Sequence, residues 1–142
     1  MKTSGAVKEV SGVMLLREDG ALLMQHRDKK EGIPYADYWS VPSGRKEVQE
    51  TSEDCARREI AEETGYRPGA LKFLATITGR EDTGAEYCLT LFWERYDGLQ
   101  KLQCLEGQGL EFVRRNEAHQ YRMLPFIQEV WDQVLKGMAQ NG

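Results

Sequence analysis

GRKEVQETSEDCARREIAEETGY, running from Gly44 to Tyr66, is the stretch on which the reading of this chain turns. A glycine turn leads into a segment whose Glu59, Glu62 and Glu63, at about 100° of rotation per helical residue, fall within an arc of roughly 100°. Three carboxylates therefore share one helix face, one turn apart. Like-charge pairs at these spacings each cost a helix about 0.2–0.5 kcal/mol, and Arg58, beside Glu62 at the next turn, offsets only part of that. A hard divalent cation removes the conflict, because Mg²⁺ takes oxygen ligands from one or two carboxylates and completes its shell with water and phosphate oxygens. An acidic helix face without such a partner is ordinarily just solvated. The ends of the helix are also written in the sequence. Thr51, with Asp54 three residues later, resembles a capping box, and Gly65 is placed to end the helix, which leaves Ala56 and Ile60 pointing to the core.

The spacing around the glutamates separates the two readings. Gly44, Glu50, Arg58, Glu59, Glu62, Glu63 and Gly65 match the pattern Gly-x5-Glu-x7-Arg-Glu-U-x-Glu-Glu-x-Gly-U, with U a bulky apolar residue. At about 7% usage per residue type, seven chance matches have a probability on the order of 10⁻⁸ per window. The chain thus resembles the Nudix hydrolase superfamily, MutT-like members included. Two positions depart from its usual form: the last U is Tyr66, and the Pro-Gly-Gly that enters the box reads Pro42-Ser43-Gly44. In the family the residue at position 43 offers a backbone carbonyl to the metal, which Ser43 supplies unless the turn demands positive φ there.

Away from the box, the 142 residues fit a single domain, 1–142, with the box at 44–66. The net charge of −4, without a Lys/Arg cluster, argues against a broad nucleic-acid-binding face. Three cysteines, Cys55, Cys88 and Cys104, are odd in number and lack metal-ligand spacing, which reads as reduced thiols in a cytoplasmic protein. Met1 to Val10 holds no apolar leader core, and no segment approaches the roughly 18 apolar residues of a membrane span. Val10–Leu16 and Ala21–Gln25, around Glu18-Asp19-Gly20, read as a hairpin, followed by a polar loop from Asp28 to Asp37 and a brief strand at 38–41 that Pro42 stops. Leu71–Thr78 and Glu86–Tyr96 read as a second hairpin around the turn-rich 79–84, and Gly109–Val113 as a last strand. Leu124–Leu135 carries Phe126, Ile127, Val130, Trp131 and Val134 in helical register.

The resemblance implies an α/β/α sandwich with a mixed β-sheet between helices. It also implies Glu59 and Glu63 as direct metal ligands, Glu62 as a ligand or water-holder, and Arg58 and Glu50 as residues that orient the cluster, with Gly44 and Gly65 shaping its supports. Phosphoanhydride hydrolysis needs cations that neutralise phosphate oxygens and a base that deprotonates water. The segment Cys104-Leu-Glu106-Gly-Gln-Gly resembles the loop that carries a further glutamate in MutT-type members, which makes Glu106 an extra ligand or the base, with Glu59 its competitor. Glu106 as an ordinary solvated loop acid is the alternative, and that reading applies more strongly to Glu111.

Substrate recognition is sparsely encoded. Arg27 occupies the position of a phosphate- or base-facing arginine in MutT-like proteins, and an isolated surface arginine is the alternative. Tyr38 and Trp39 can stack on a base or sugar, at about 1–3 kcal/mol per contact, or pack into the sheet. His26 and His119 have no metal-type partner and read as structural or exposed. The asparagine that reads oxidised guanine in MutT has no match in Arg122-Met123-Leu124-Pro125, the proline that marks ADP-ribose hydrolases is missing from 79–83, and Tyr87 falls several residues late for the tyrosine of dinucleoside polyphosphate hydrolases. These residues lead to a Mg²⁺-dependent pyrophosphohydrolase, Mn²⁺ substituting, of nucleoside diphosphate-X compounds, foremost a (deoxy)nucleoside triphosphate cut to monophosphate and pyrophosphate. The rivals are a sugar-nucleotide or ADP-ribose hydrolase and a catalytically silent nucleotide-binding regulatory module. The partner is a small-molecule nucleotide; nothing in the chain forbids a homodimer.

Overall fold

The computed structural model describes residues 7–141, so the reading of Met1 to Val10 as lacking an apolar leader core falls mostly outside the described residues. Strands β1 (Lys8–Leu16) and β2 (Leu22–His26) leave a turn in which Gly20 takes φ 85° and donates its N–H to the Arg17 carbonyl at 2.9 Å. The two strands pair only at Leu16↔Leu22 and then diverge. The fork between them is filled by the chain that follows. Strand β3 (Trp39–Ser40) pairs with β2 and strand β4 (Ser43–Arg45) pairs with β1, while between them the Pro42 carbonyl accepts the Val13 N–H at 3.0 Å. A proline suits this crossing because it has no N–H of its own to satisfy.

On the other side of β1, β6 (Glu86–Arg95) runs parallel to it for nine residue pairs, from Lys8↔Tyr87 to Leu16↔Arg95. Strand β5 (Lys72–Arg80) is antiparallel to β6, with a bulge between Phe73 and Ala75, and β7 (Gly109–Val113) is antiparallel to β2. The sheet is therefore mixed. Residues alternate between its faces along β1 and β2, as the two-residue period of a strand requires. Met14, Leu16, Leu22 and Met24 pack toward helix α2 (Pro125–Asn141), where Ile127, Val130, Trp131 and Val134 are buried; Val13, Leu15 and Leu23 pack toward helix α1 (Ser52–Thr64) through Ala56 and Ile60, with Tyr66 and Phe92. Buried on both faces, β1 reads as an unbroken apolar run rather than an alternating one. Trp131, fully buried, donates its indole N–H to the Gly20 carbonyl at 3.0 Å, which ties α2 to the first turn.

The expected α/β sandwich, both hairpins and the two long helices are present, with differences of local origin. Helix α1 begins as the capping pattern predicts, Thr51 Oγ1 accepting the Asp54 N–H at 3.0 Å, and ends at Gly65 with φ 81°. Strand β4 stands where the sequence predicts a turn, since glycine and charged residues are poor strand formers, and here β1 supplies the pairing that overrides that preference. A 3₁₀ turn over Arg115–Gln120 carries no periodicity to announce it. Helix α2 runs past Leu135 to Asn141, because good helix formers continue it and Met138 is still buried. Among the described residues, no helix is long and apolar enough to cross a membrane.

Gly12 faces Ser43 across the fork, where an added Cβ would lie 2.9 Å from the Ser43 Cβ and 3.0 Å from the Pro42 carbonyl oxygen. Gly12→Ala is therefore expected to destabilise the protein by about 1–3 kcal/mol, as overpacking does. Adding Ser43→Gly should recover part of that loss in urea melts. Strictly additive effects would show that the two positions do not share the space.

Candidate active site

The fork brings the box glycine against helix α1. A Cβ on Gly44 would collide with the Glu59 carboxyl group, so the glycine is needed for close approach and not for an unusual backbone angle, its φ being negative like that of Ser43. Arg45 turns its carbonyl away from β1 to accept from Arg58 Nη2 at 3.1 Å. By the two-residue period of a strand, Ser43 presents its carbonyl on that same edge.

Arg58 organises the acidic face. It grips Glu50 with Nε and Nη2, and its Nη1 donates to Glu59 at 2.8 Å and to Glu62 at 3.3 Å. The paired guanidinium holds the Glu50 carboxyl down at about 2, and Glu50 together with Glu59 raises the pKa of Arg58 further. Glu50 and Glu59 are mostly covered, with side-chain exposures of 15% and 14%, whereas Glu62 is 57% exposed.

Glu63 is the outlier. It is 1% exposed, and among the described residues neither of its carboxylate oxygens makes a hydrogen bond of normal geometry, although the Glu59 carboxyl and the Ser43 backbone stand close to it. Burial, then the neighbouring Glu59 and Glu106, push its pKa far above the ordinary carboxylate range, and the Ser43 backbone pulls only slightly the other way. An unpartnered buried carboxylate is among the costliest groups a core can hold. With the Ser43 carbonyl edge and three further glutamates around it, the donor set is all hard oxygen and fits a divalent cation such as Mg²⁺.

Glu106 arrives on the loop between β6 and β7. The Gln103 and Leu105 N–H groups donate to the Thr64 and Glu63 carbonyls at 3.0 and 2.9 Å, and buried Gln25 donates to the Glu106 carbonyl at 3.1 Å. Gly107, with φ 88°, presses so closely on the His26 carbonyl that no side chain fits. Desolvation, then Glu59, raise the Glu106 pKa, and Arg27 opposes them. Among the described residues no three carboxylate, imidazole or thiol groups stand at chelating spacing. The expected ligand set is thus near-neighbouring but not gathered: Glu59 is turned to Arg58 and Glu62 reaches solvent.

Glu59 and Glu106 line a cleft of about 380 Å³ together with Ser43, Gly44, Arg45 and Arg27, whose Nε donates to the Pro34 carbonyl at 2.8 Å. The expected aromatic pair lies elsewhere. Trp39 stacks on His26 at 4.6 Å and meets Tyr121 edge-on, and Tyr38 packs under the Arg122 guanidinium at 4.3 Å, so neither ring lines the cleft. Trp39 is instead drawn to the sheet by its pairing with His26. Tyr35, Tyr87, Lys8 and Glu81 also line the cleft, and no local sequence pattern marks them for it. Tyr35 has φ 50° and is held by the hairpin tip, its N–H donating to Asp82 at 3.1 Å. Backbone strain of this kind in a residue with a Cβ is the signal that marks the position. Cys55, Cys88 and Cys104 are unpaired, and His26 bonds Asp37 at 2.9 Å as a structural residue.

A model of the NUDIX domain matches residues 7–135. The chain is 32% identical over 68 residues to an RNA pyrophosphohydrolase of Xanthomonas campestris, an alignment covering 48% of this chain and 30% of that protein, so it spans under a third of the relative's length. Its fold is similar to that of a MutT protein from Methanosarcina mazei Go1, with TM-score 0.78 and 17% identity over 96% of this chain and 98% of that one. It is similar as well to the NUDIX domain of Shewanella oneidensis NrtR complexed with ADP ribose, with TM-score 0.76 and 17% identity over 93% and 90% of the two chains.

Glu63 gives the site a pH signature. Its pKa is higher folded than unfolded, so the folded state holds the proton more tightly, and the cation-free protein loses stability as pH rises from about 4.5 toward the raised value. Melting temperature without divalent cation should fall between about pH 5 and pH 8. Mn²⁺ or Mg²⁺ at a hundredfold excess over Kd should add about 2.7 kcal/mol, and most at the alkaline end, where protons no longer compete. Equal melting curves with EDTA and with millimolar Mn²⁺ at alkaline pH would remove the cation site.

Proposed function

The chain belongs to the NUDIX family, and from that premise we propose that it is a divalent-cation-dependent pyrophosphohydrolase acting on nucleoside diphosphate-X compounds, foremost a (deoxy)nucleoside triphosphate cut to monophosphate and pyrophosphate. The observation that carries this reading is Glu63: a buried carboxylate with no hydrogen bond of normal geometry among the described residues, beside Glu59 and Glu106 and next to a cleft open to a ligand. A protein that only bound nucleotides would have no use for the cost of that group.

Glu59, Glu63 and Glu62, with the Ser43 carbonyl, would hold the cation, and Glu106 serves as a further ligand or as the base. When bound, the cation neutralises phosphate oxygens and lowers the pKa of water. The chain's own residues do the rest. Arg58, anchored by Glu50, fixes the rotamer of Glu59. Arg27, on the cleft wall facing Glu106, binds phosphate oxygens. Glu106 accepts the proton of the attacking water, a role to which its raised pKa is suited, since a base works best near the pH at which it operates. Its loop is stitched to α1 and β2, which sets the carboxylate on a fixed support.

A panel of nucleoside triphosphates, sugar nucleotides, ADP-ribose and a 5′-triphosphorylated oligonucleotide, with Mg²⁺, tests the assignment; the last is included because the Xanthomonas relative is named for RNA. Pyrophosphate release from triphosphates is expected, and no turnover of any member would leave only the regulatory reading. Glu63→Gln should keep the circular dichroism of the fold yet lower kcat beyond the ten- to hundredfold typical of losing a supporting residue around a metal, roughly 10³-fold.

Glu106→Gln should depress kcat strongly with little change in KM, and the loss should soften as pH rises and hydroxide replaces the missing base. Should Glu106→Gln keep near-normal kcat at saturating Mg²⁺ while Glu59→Gln shows the alkaline rescue, the base is Glu59.

A further inference from the structure

The cleft continues well beyond the carboxylates. Lys8, at the far end of the cleft, lies four residues and roughly 13 Å, at 3.3 Å per residue, along β1 from Gly12, the strand partner of Ser43 on the near wall. In the parallel ladder Lys8 pairs with Tyr87 and Val10 with Leu89, so these four side chains share a face, and Leu124 and Phe126 from the start of α2 close over it. This far half is walled by apolar and aromatic side chains, with Arg45 beside Val10 across the β1–β4 pairing and the Lys8–Glu81 pair at its end. There Glu81, its side chain 8% exposed, receives Lys8 Nζ and Thr83 Oγ1 on one oxygen, each at 2.9 Å. Among the described residues its other oxygen, Oε2, accepts no hydrogen bond, and Glu81 lines the cleft.

We infer that Lys8 and Glu81 read the hydrogen-bonding edge of the substrate's nucleobase and select bases that present an N–H donor there. This rests on the nucleotide reading given above. A flat ring lodged between Val10, Leu89 and Phe126 would turn its polar edge to the slot's end, where Glu81 Oε2 accepts an N–H and the remaining ammonium protons of Lys8 meet a neighbouring carbonyl oxygen or ring nitrogen. The pair is not needed to hold β1 to the sheet, because β1 and β6 are already joined over nine residue pairs and Glu81 lies outside both, in the turn between β5 and β6. Nor is a surface latch an adequate account of a nearly buried carboxylate that leaves one oxygen open to a cleft. The separation from the carboxylate end suits a nucleotide, whose base edge and reacting phosphates lie at opposite ends of the molecule.

Purine riboside 5′-triphosphate, which lacks exocyclic groups and a ring N–H, is the probe. For the wild-type protein with Mg²⁺, kcat/KM for the best natural nucleoside triphosphate should exceed that for the probe by about ten- to a hundredfold, the worth of one hydrogen bond to a charged group. In Glu81→Gln the ratio should fall toward one, and Lys8→Met gives the same readout if Glu81→Gln does not fold. Lys8→Glu combined with Glu81→Lys keeps an ion pair but exchanges donor for acceptor, and should not restore the wild-type ratio. If Glu81→Gln lowers both substrates alike, if the exchanged pair restores the ratio, or if the wild-type ratio is already near one, the pair is a structural latch and this inference fails while the hydrolase assignment stands. A wild-type protein that cleaves no nucleotide overturns both.

Discussion

Two strands that leave a common turn and then part company expose backbone groups on facing edges, and everything functional in this molecule follows from how that fork is closed. Strands β1 and β2 touch only at Leu16↔Leu22; the edge of β1 from Val10 to Gly12 and that of β2 at Gln25 and His26 would be unpaired without the segment 39–45. Buried N–H and C=O groups must find partners, so the segment is drawn into the fork and crosses it at Pro42. That crossing delivers Ser43 and Gly44 to the helix face at which Glu59 stands. The site is thus a by-product of backbone satisfaction, placed on rigid structure before any ligand is considered.

Electrostatically the site has two halves with opposite solutions to the same problem. Glu50 and Glu59 are neutralised internally by Arg58, which reaches Glu62 as well and so ties together residues eight positions apart in the helix and its leading turn. Among the described residues Glu63 and Glu106 make no such ion pair, and burial and neighbouring carboxylates raise the pKa of both. One arginine cannot satisfy both halves, since its guanidinium is fully engaged by Glu50, Glu59, Glu62 and the Arg45 carbonyl. A folded state that keeps uncompensated carboxylates has a stability that responds to whatever cation is present.

How much of this could be read beforehand depended on sequence distance. The helix face, its caps and the shared side of Glu59, Glu62 and Glu63 follow from a 3.6-residue period that acts within one element. That Glu63 would be sealed and Glu62 left in solvent does not, because one turn apart on the same helix they meet different neighbours, Ser43 and the 103–106 loop on one side and water on the other. Likewise Lys8, Tyr35, Glu81 and Tyr87 come from four separate segments, and only the parallel pairing of β1 with β6 and the strained turn at Tyr35 bring them together. The aromatic pair Tyr38 and Trp39 misled for the converse reason: adjacency to the box in sequence placed them on β2's side of the fork, where His26 and Tyr121 claim the indole.

The two bonds from Gln103 and Leu105 to the Thr64 and Glu63 carbonyls have a bearing on how this chain can vary. The last carbonyls of any helix lack partners within it, and here the loop ahead of β7 supplies them. The loop's length is therefore tied to the end of α1: removing or adding a residue between Asp97 and Leu105 would strip those carbonyls and unwind the turn that carries Glu63. The polar loop from Asp28 to Asp37 caps no helix and is free of that constraint. Insertions and deletions should be tolerated there between residues 29 and 33, short of Pro34, Tyr35 and Asp37, which hold Arg27, the cleft wall and His26. They should be excluded from the Glu106 loop, so in relatives of this chain the substrate side of the cleft can drift in length while the side that bears the carboxylates keeps its span.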